Sequence, residues 1–264
     1  MSFPKMKTEN ESERISLGCL EIWGGNSQVS HALELPGLRG WLHSEPTEQS
    51  LQGGDVHYVS VCSKGVLTRF ALADVSGHGQ SAGSIATLLR GLIHKHIDTW
   101  DQSELMRELN ISLHNNVTHS QYASAILFAY YQPTGELVFT NAGHPPALWY
   151  RAQEKSWEWL EAGTPLAHSI EGLPLGLIEG TDYVQVAVRI RPNDVLILYT
   201  DGITEARNLE GEMLERGGLL EIARGLSVNE PARMAECLIA RLQDFRAGAE
   251  PDDDRTFCIL QRTN

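Results

Sequence analysis

The feature of this sequence that most constrains its fold is the order of its helical and extended segments. Two helical stripes follow each other between residues 82 and 117, where apolar residues recur at spacings of three and four. Extended segments broken by Gly and Pro precede them at 17–62 and 66–73 and follow them at 122–160. This order lacks the regular strand–helix alternation of a parallel sheet. It predicts an α+β fold in which hairpins form antiparallel sheets and helices pack outside them.

Local signals predict where some of these elements begin and pair. Asp101 is expected to cap the second helix, because Glu104 follows three residues later as in a capping box. The segments 183–190 and 195–199 are expected to pair as neighbouring strands across an Arg-Pro-Asn-Asp turn. Asn229 is expected to cap the last helix, which begins close to a proline.

Composition narrows the class of protein. The chain has 264 residues, 42% of them apolar, and no internal linker or repeat, so we expect one domain at 17–264 after a flexible tail at 1–16. It contains no membrane-spanning run and no apolar leader, and its four cysteines are widely spaced, so a cytoplasmic location is expected. The net charge of −13 argues against a nucleic-acid partner, and nothing indicates a membrane partner.

Aspartates stand beside several of the predicted strands. Asp74 and Asp201 each end an apolar strand and lack an adjacent Arg or Lys, while Asp55 follows two glycines and Asp253 precedes the last strand. A carboxylate at the end of a buried strand is unfavourable unless a partner neutralises it. Any one of these positions is also typical of a simple turn. Together they favour a site for Mg²⁺ or Mn²⁺, which prefer oxygen ligands.

The same residues lie in six short motifs that occur in a characteristic order. The motifs are Gly53-Gly54-Asp55, Ala73-Asp74-Val75-Ser76-Gly77-His78-Gly79, Asn141-Ala142-Gly143-His144-Pro145, Leu173-Pro174-Leu175-Gly176, Tyr199-Thr200-Asp201-Gly202-Ile203-Thr204-Glu205-Ala206 and Asp253-Asp254-Arg255-Thr256. Each motif alone is weak, but their order resembles the PPM family of metal-dependent phosphatases (protein phosphatase 2C-like). The resemblance covers residues 17–262 and is strongest to the bacterial sporulation-stage-II and sigma-regulation branch.

The resemblance implies a fold, a site and a reaction. The fold would be two stacked antiparallel sheets flanked by helices on both outer faces. Asp74 would bridge two divalent cations, Mn²⁺ or Mg²⁺, with the Val75 carbonyl, Asp201, Asp253 and Asp55 as further ligands, and these four aspartates would carry the catalysis. The reaction would be hydrolysis of phosphoserine or phosphothreonine by a water that the two cations activate. The substrate would be a bacterial regulatory phosphoprotein, such as a STAS-type anti-sigma-factor antagonist.

Departures from the family pattern leave alternatives open. Family members often have a second aspartate where this chain has Tyr58, which motivates the alternative of a weak or inactive pseudophosphatase that binds a partner. His78 follows Asp74 by four positions instead of the two seen in eukaryotic members, so a role as proton donor is doubtful. His144 is interpreted as structural because prolines follow it directly. A two-metal phosphodiesterase is a third reading, disfavoured because such sites usually mix His with Asp.

Overall fold

The computed structural model describes residues 14–16, 22–47, 53–62, 64–77, 79–96, 99–117, 121–161 and 172–263. Its strands are β1 (Arg14–Ser16), β2 (Ile22–Gly25), β3 (Val29–Leu35), β4 (Leu38–Glu45), β5 (Val56–Cys62), β6 (Leu67–Val75), β7 (Ala123–Tyr131), β8 (Glu136–Ala142), β9 (Ala147–Arg151), β10 (Ser156–Leu160), β11 (Gln185–Arg189), β12 (Val195–Tyr199) and β13 (Arg255–Arg262). Its helices are α1 (Gly79–His96), α2 (Gln102–His114), α3 (Asp201–Thr204), α4 (Glu215–Arg224) and α5 (Pro231–Arg246).

The strands form two sheets. One has the order β1-β3-β4-β13-β12-β9-β10 and the other the order β11-β8-β7-β6-β5-β2. Neighbouring strands are antiparallel except for β1, which runs parallel to β3. Most of the predicted tail at 1–16 lies outside the described residues. Its last three residues form β1, so the prediction of a tail up to residue 16 is wrong at that end.

Three apolar clusters hold four layers together. Leu42 and Leu198 of the first sheet meet Leu72 and Phe139 of the second in the cluster between the sheets. A second cluster joins the outer face of the second sheet to α1 and α2, and a third joins the outer face of the first sheet to α4 and α5. Burying each large apolar side chain contributes about 1.5–3 kcal/mol. The predicted helix–sheet–sheet–helix sandwich is therefore confirmed.

The predicted pairing of two neighbouring strands is wrong. The segments 183–190 and 195–199 do not pair, because β11 joins β8 in one sheet while β12 lies between β9 and β13 in the other. The linking turn is held to the first sheet by the Asp194 carboxylate, which accepts hydrogen bonds from the backbone amides of Arg191 and Ala152, both at 2.8 Å. The chain therefore crosses from one sheet to the other at this turn.

Of the two predicted helix caps, the one for α2 is confirmed and the one for α5 is wrong. Asp101 caps α2, since its carboxylate accepts from the backbone amides of Ser103 and Glu104, as predicted. The N-cap position of α5 is Glu230, which makes no side-chain capping hydrogen bond, and not Asn229, whose side chain accepts a hydrogen bond from the Ser227 hydroxyl at 2.7 Å. No helix in the described residues is long and apolar enough to cross a membrane.

Candidate metal centre

Antiparallel pairing brings the predicted aspartates to one edge of the sandwich. In the second sheet, β5 begins where β6 ends, since Val56 pairs with Ala73. In the first sheet, β13 begins where β12 ends, since Tyr199 pairs with Phe257. Residues just before β5 and β13 and at the ends of β6 and β12 therefore lie at neighbouring edges. These are the positions of the four aspartates predicted as ligands.

Asp55 connects the two sheets at this edge. It is only 2% exposed, and its Oδ2 accepts a hydrogen bond of 2.8 Å from the hydroxyl of Thr200, which follows β12. The Thr200 hydroxyl in turn accepts from the Thr256 amide at 3.0 Å. Asp55 Oδ1 is buried without a hydrogen-bond partner in the described part of the chain. Burial first, and then the nearby charge of Asp74, raise the pKa of Asp55 well above its usual value.

Asp74 is the electrostatic centre of the group. Burial, followed by the charges of Asp201, Asp253 and Asp254, raises its pKa to about 8. Gly54 lies opposite this carboxylate, and a Cβ on it would be in ordinary contact with Asp74 Oδ1 at 3.6 Å. The same Cβ would lie 3.0 Å from the Val75 carbonyl oxygen, the predicted backbone ligand. The loop before β5 therefore approaches the end of β6 closely because residue 54 has no side chain.

Asp201 and Asp253 are the other two aspartates predicted as metal ligands. Asp201 is the first residue of α3, and burial, then the charges of Glu205 and Asp253, raise its pKa to about 6. Asp253 lies in the loop between α5 and β13, where its Oδ1 accepts a hydrogen bond of 2.8 Å from the Asp254 amide. The structure thus brings together all four aspartates that the sequence singled out.

Asp254 has a different position from its neighbour. Its Oδ1 accepts from the Thr47 amide at 2.7 Å and its Oδ2 from the Gly54 amide at 2.6 Å. A Cβ on Gly53 would lie 2.4 Å from Asp254 Oδ2, and one on Gly202 would lie 2.0 Å from the Asp254 carbonyl oxygen. Asp254 therefore anchors the Gly-Gly loop and the start of α3, which places Asp55 and Asp201.

These groups suit hard divalent cations. Several carboxylates with raised pKa values, one of them with a buried oxygen that has no partner in the described chain, form this site, and the donors are all oxygen atoms. Within the described residues, no group of three or more His, Cys, Asp or Glu side chains is arranged so that it could hold a metal ion. Mg²⁺ usually keeps several waters and takes one or two carboxylates, so an open arrangement fits its chemistry.

The residues that departed from the expected pattern lie away from these carboxylates or outside the described chain. Tyr58 is 2% exposed on the helix-facing side of β5, and its hydroxyl lies 3.4 Å from Nδ1 of His94 in the last turns of α1. Asp74 precedes the start of α1, so the Tyr58 hydroxyl is directed to the other end of that helix. His78 lies outside the described residues.

His144 occupies a buried, structural position. Its backbone amide and carbonyl are held by the Asn141 side chain, each at 2.8 Å, and its Nδ1 lies 2.7 Å from the Ser124 hydroxyl. Burial lowers its pKa to about 3, so the ring is neutral. These contacts agree with its interpretation as a structural residue.

Sequence comparison identifies the family. Residues 65–263, which include three of the four aspartates, match the family described as Stage II sporulation protein E (SpoIIE). The chain belongs to the SpoIIE family. Among curated SpoIIE-like relatives, the phosphoserine phosphatase RsbU of Bacillus subtilis (strain 168) is 26% identical over 196 residues, which are 73% of this chain and 55% of RsbU. The chain therefore spans about half the length of this relative.

Several solved structures superpose on most of the chain. The RsbU and RsbW domains of Rv1364c from Mycobacterium tuberculosis match with a TM-score of 0.70 at 23% identity, covering 90% of this chain and 63% of that one. The catalytic domain of the serine threonine protein phosphatase PstP, solved in complex with two manganese ions, matches with a TM-score of 0.59 at 17% identity. That match covers 86% of this chain and 99% of the PstP chain. At these identities the likeness establishes the fold.

Three residues of the site were not predicted to act there. Thr200 holds Asp55, Asn26 donates to the Gly53 carbonyl at 3.1 Å, and Glu205 adds negative charge beside Asp201 and Asp74. The four-residue spacing of Asp201 and Glu205 could have indicated a shared helical face. The contacts of Thr200 and Asn26 depend on the tertiary fold and leave no local signal.

Proposed function

We propose that this chain is a metal-dependent protein serine/threonine phosphatase. The observation that carries the proposal is the convergence of Asp55, Asp74, Asp201 and Asp253 at one edge of the sandwich, where burial and neighbouring carboxylates raise the pKa values of Asp55, Asp74 and Asp201. Membership of the SpoIIE family and the likeness to RsbU, whose name states phosphoserine phosphatase activity, support the same conclusion.

The proposed cofactors are two divalent cations, Mn²⁺ or Mg²⁺, as in the PstP structure with two manganese ions. Asp74 would hold both ions, and the Val75 carbonyl, Asp201, Asp253 and Asp55 would complete the ligand set. When bound, such ions neutralise a phosphate dianion and lower the pKa of water at the site.

The chain's own residues prepare the site for this chemistry. Thr200 orients Asp55 through the 2.8 Å hydrogen bond, so one oxygen is fixed and the other remains free to bind. Asp254 fixes the Gly53–Gly54 loop, which keeps the approach to Asp74 open. The excess of carboxylates would repel a phosphate dianion in the absence of cations, so activity should depend strictly on metal.

For the substrate we propose a phosphorylated regulatory protein, of the type of a STAS-domain anti-sigma-factor antagonist. The support is the similarity to RsbU and to the paired RsbU and RsbW domains of Rv1364c. Incubation with a phosphorylated STAS-domain protein, followed by intact-mass spectrometry, tests this. A substrate that keeps its phosphate while a small phosphate ester is hydrolysed would reject the substrate class and leave the chemistry standing.

The activity itself is tested by hydrolysis of p-nitrophenyl phosphate with Mn²⁺, with Mg²⁺ and with EDTA. Wild type is expected to turn over only with metal, and Asp74→Asn and Asp201→Asn should each reduce the rate by at least about 100-fold, consistent with the loss of a key electrostatic contact. Asp101→Asn makes the same chemical change at an exposed helix cap and should leave the rate unchanged. Hydrolysis in EDTA, or full activity of Asp74→Asn, would contradict the proposal.

A further inference from the structure

A buried imidazole lies close to the aspartates without belonging to the proposed ligand set. His144 is 5% exposed and lies where the chain crosses from β8 in one sheet to β9 in the other. The Asn141 side chain holds its backbone, since it donates to the His144 carbonyl and accepts from the His144 amide, both at 2.8 Å. The ring is therefore fixed in position at this crossing.

The ring contacts the residue that lies directly opposite Asp74. Ser124 of β7 pairs with Asp74 of β6, and residues opposite each other in an antiparallel pair project from the same face with Cβ atoms about 4.5–5.5 Å apart. This face is the one between the sheets, because Leu72 and Ile126, two positions away on each strand, belong to the cluster there. The Ser124 hydroxyl lies 2.7 Å from His144 Nδ1, so it is within reach of both the ring and the carboxylate.

The surroundings of the ring indicate the direction of this hydrogen bond. Burial lowers the pKa of His144 to about 3, so only one ring nitrogen carries a proton. The Tyr199 backbone acts in the opposite sense and raises that pKa, which is the effect of a hydrogen-bond acceptor. Because Nδ1 already faces Ser124, this acceptor faces Nε2, which is buried and has no well-aligned hydrogen-bond partner in the described chain. The proton therefore belongs on Nε2, and Nδ1 accepts from the Ser124 hydroxyl.

A serine that donates its proton to His144 cannot donate it to Asp74. The proposed bridging role of Asp74 uses both carboxylate oxygens, and a hydroxyl donor directly opposite would occupy one of them. The pKa of Asp74 is raised by burial and then by four neighbouring carboxylates, with no hydrogen bond among the causes in the described chain. This agrees with a Ser124 hydroxyl that is directed to the imidazole.

We propose that His144 is a positioning residue that holds the Ser124 hydroxyl away from Asp74 and so keeps both Asp74 oxygens free for divalent cations. This inference rests on the proposed metal-dependent function and adds a residue to it. His144 contacts neither the substrate nor the cations, because it acts through Ser124. Without an acceptor at position 144, the hydroxyl should turn to Asp74 and weaken the binding of cations.

The test measures the affinity of the metal-free full chain for Mn²⁺ by isothermal titration calorimetry. His144→Phe introduces a ring that cannot accept a hydrogen bond, and it should weaken Mn²⁺ binding roughly ten-fold, the factor that corresponds to one hydrogen bond to a charged group. His144→Asn keeps an acceptor near the position of Nδ1 and should stay within roughly three-fold of wild type.

Removing the serine hydroxyl separates positioning from packing. Ser124→Ala leaves no hydroxyl to compete for Asp74 and should bind Mn²⁺ as wild type does. The double variant Ser124→Ala and His144→Phe should recover the affinity that His144→Phe loses, whereas a residue that only fills space would not be rescued in this way. Equal Mn²⁺ affinities of wild type and His144→Phe, or no recovery in the double variant, would overturn the inference.

A second histidine–serine pair supplies the matched control. His43 Nδ1 lies 3.2 Å from the Ser30 hydroxyl, on the face of the first sheet that packs under α5. His43→Phe makes the same chemical change away from Asp74 and should leave the Mn²⁺ affinity unchanged. If His43→Phe weakens Mn²⁺ binding as much as His144→Phe does, the effect is not specific to Ser124 and Asp74 and the inference fails.

The wild-type chain also allows a test without any substitution. Nuclear magnetic resonance of metal-free protein with ¹⁵N-labelled histidine distinguishes a protonated ring nitrogen from an unprotonated one. His144 should carry its proton on Nε2, with Nδ1 unprotonated. A proton on Nδ1 would overturn the inference, because the ring would then donate to Ser124 and leave the serine proton free to turn to Asp74.

These measurements separate the inference from the proposed function. If the Mn²⁺ affinities follow the expected pattern but wild type hydrolyses no phosphate ester, the phosphatase function fails and the positioning role stands. If wild type hydrolyses p-nitrophenyl phosphate with Mn²⁺ and all variants bind Mn²⁺ equally, the positioning role fails and the function stands.

Discussion

Replacing Asp74 with asparagine should stabilise the metal-free protein. The Asp74 carboxylate is largely buried and lies near the charges of Asp201, Asp253 and Asp254. Burial first, and then these charges, raise its pKa from 3.8 to about 8. Asparagine keeps the shape of the side chain and removes its charge. The substitution therefore relieves repulsion in the absence of cations, although it removes a proposed ligand.

The size and the pH dependence follow from that pKa. The folded state binds this proton more tightly than the unfolded state does, so the group's contribution to stability is fully present below pH 3.8 and is lost as the pH rises to about 8. The shift spans roughly four pH units at 1.36 kcal/mol each, an upper limit of about 6 kcal/mol. Because Asp74 is partly accessible and water can solvate it, we expect about 2–4 kcal/mol at pH 8.

Urea unfolding in EDTA, followed by circular dichroism, measures this difference. Asp74→Asn should be more stable than wild type at pH 8, and the gap should narrow as the pH falls towards 4. Added Mn²⁺ should raise the stability of wild type and have a much smaller effect on the variant. If Asp74→Asn is less stable than wild type in EDTA at pH 8, the carboxylates do not repel one another as described and the reasoning is refuted.

Three substitutions test the scaffold of the site. Gly202→Ala would place a Cβ 2.0 Å from the Asp254 carbonyl oxygen, so we expect a loss of about 3 kcal/mol or more, measured by urea unfolding. Thr200→Val leaves Asp55 Oδ2 without its donor and should lower the free energy of unfolding by about 1–3 kcal/mol in the same assay, whereas an unchanged midpoint would contradict that bond. Asp101→Ala removes the α2 cap and should lower stability by about 1 kcal/mol with unchanged phosphate ester turnover.

The parts of the fold that depend on local pattern were predictable from the sequence. The stripe of α1 and the Asp101 cap follow from spacings within one segment. The pairing of 183–190 with 195–199 was wrong because nearness in sequence does not determine which sheet a strand joins. Contacts of Asp194 with Trp149 and Ala152, more than forty positions earlier, decide that crossing.

Some residues of the candidate site could also be predicted from the sequence, and others could not. Asp55, Asp74, Asp201 and Asp253 could be found because strand ends and glycines mark them, and the order of the motifs ties them together. The role of Asp254 was not predictable, because its partners Thr47 and Gly54 lie about two hundred positions earlier in the chain. Adjacent aspartates therefore differ in position for reasons that only the tertiary structure contains.

The most direct test of the central claim is a calorimetric titration of the metal-free protein with Mn²⁺. If the aspartates from four separate segments form one metal centre, wild type should bind two ions. Asp74→Asn and Asp201→Asn should each release less heat on titration and bind fewer ions per protein. Asp101→Asn should give the same titration as wild type. No binding by wild type, or identical titrations of wild type and Asp74→Asn, would contradict the claim.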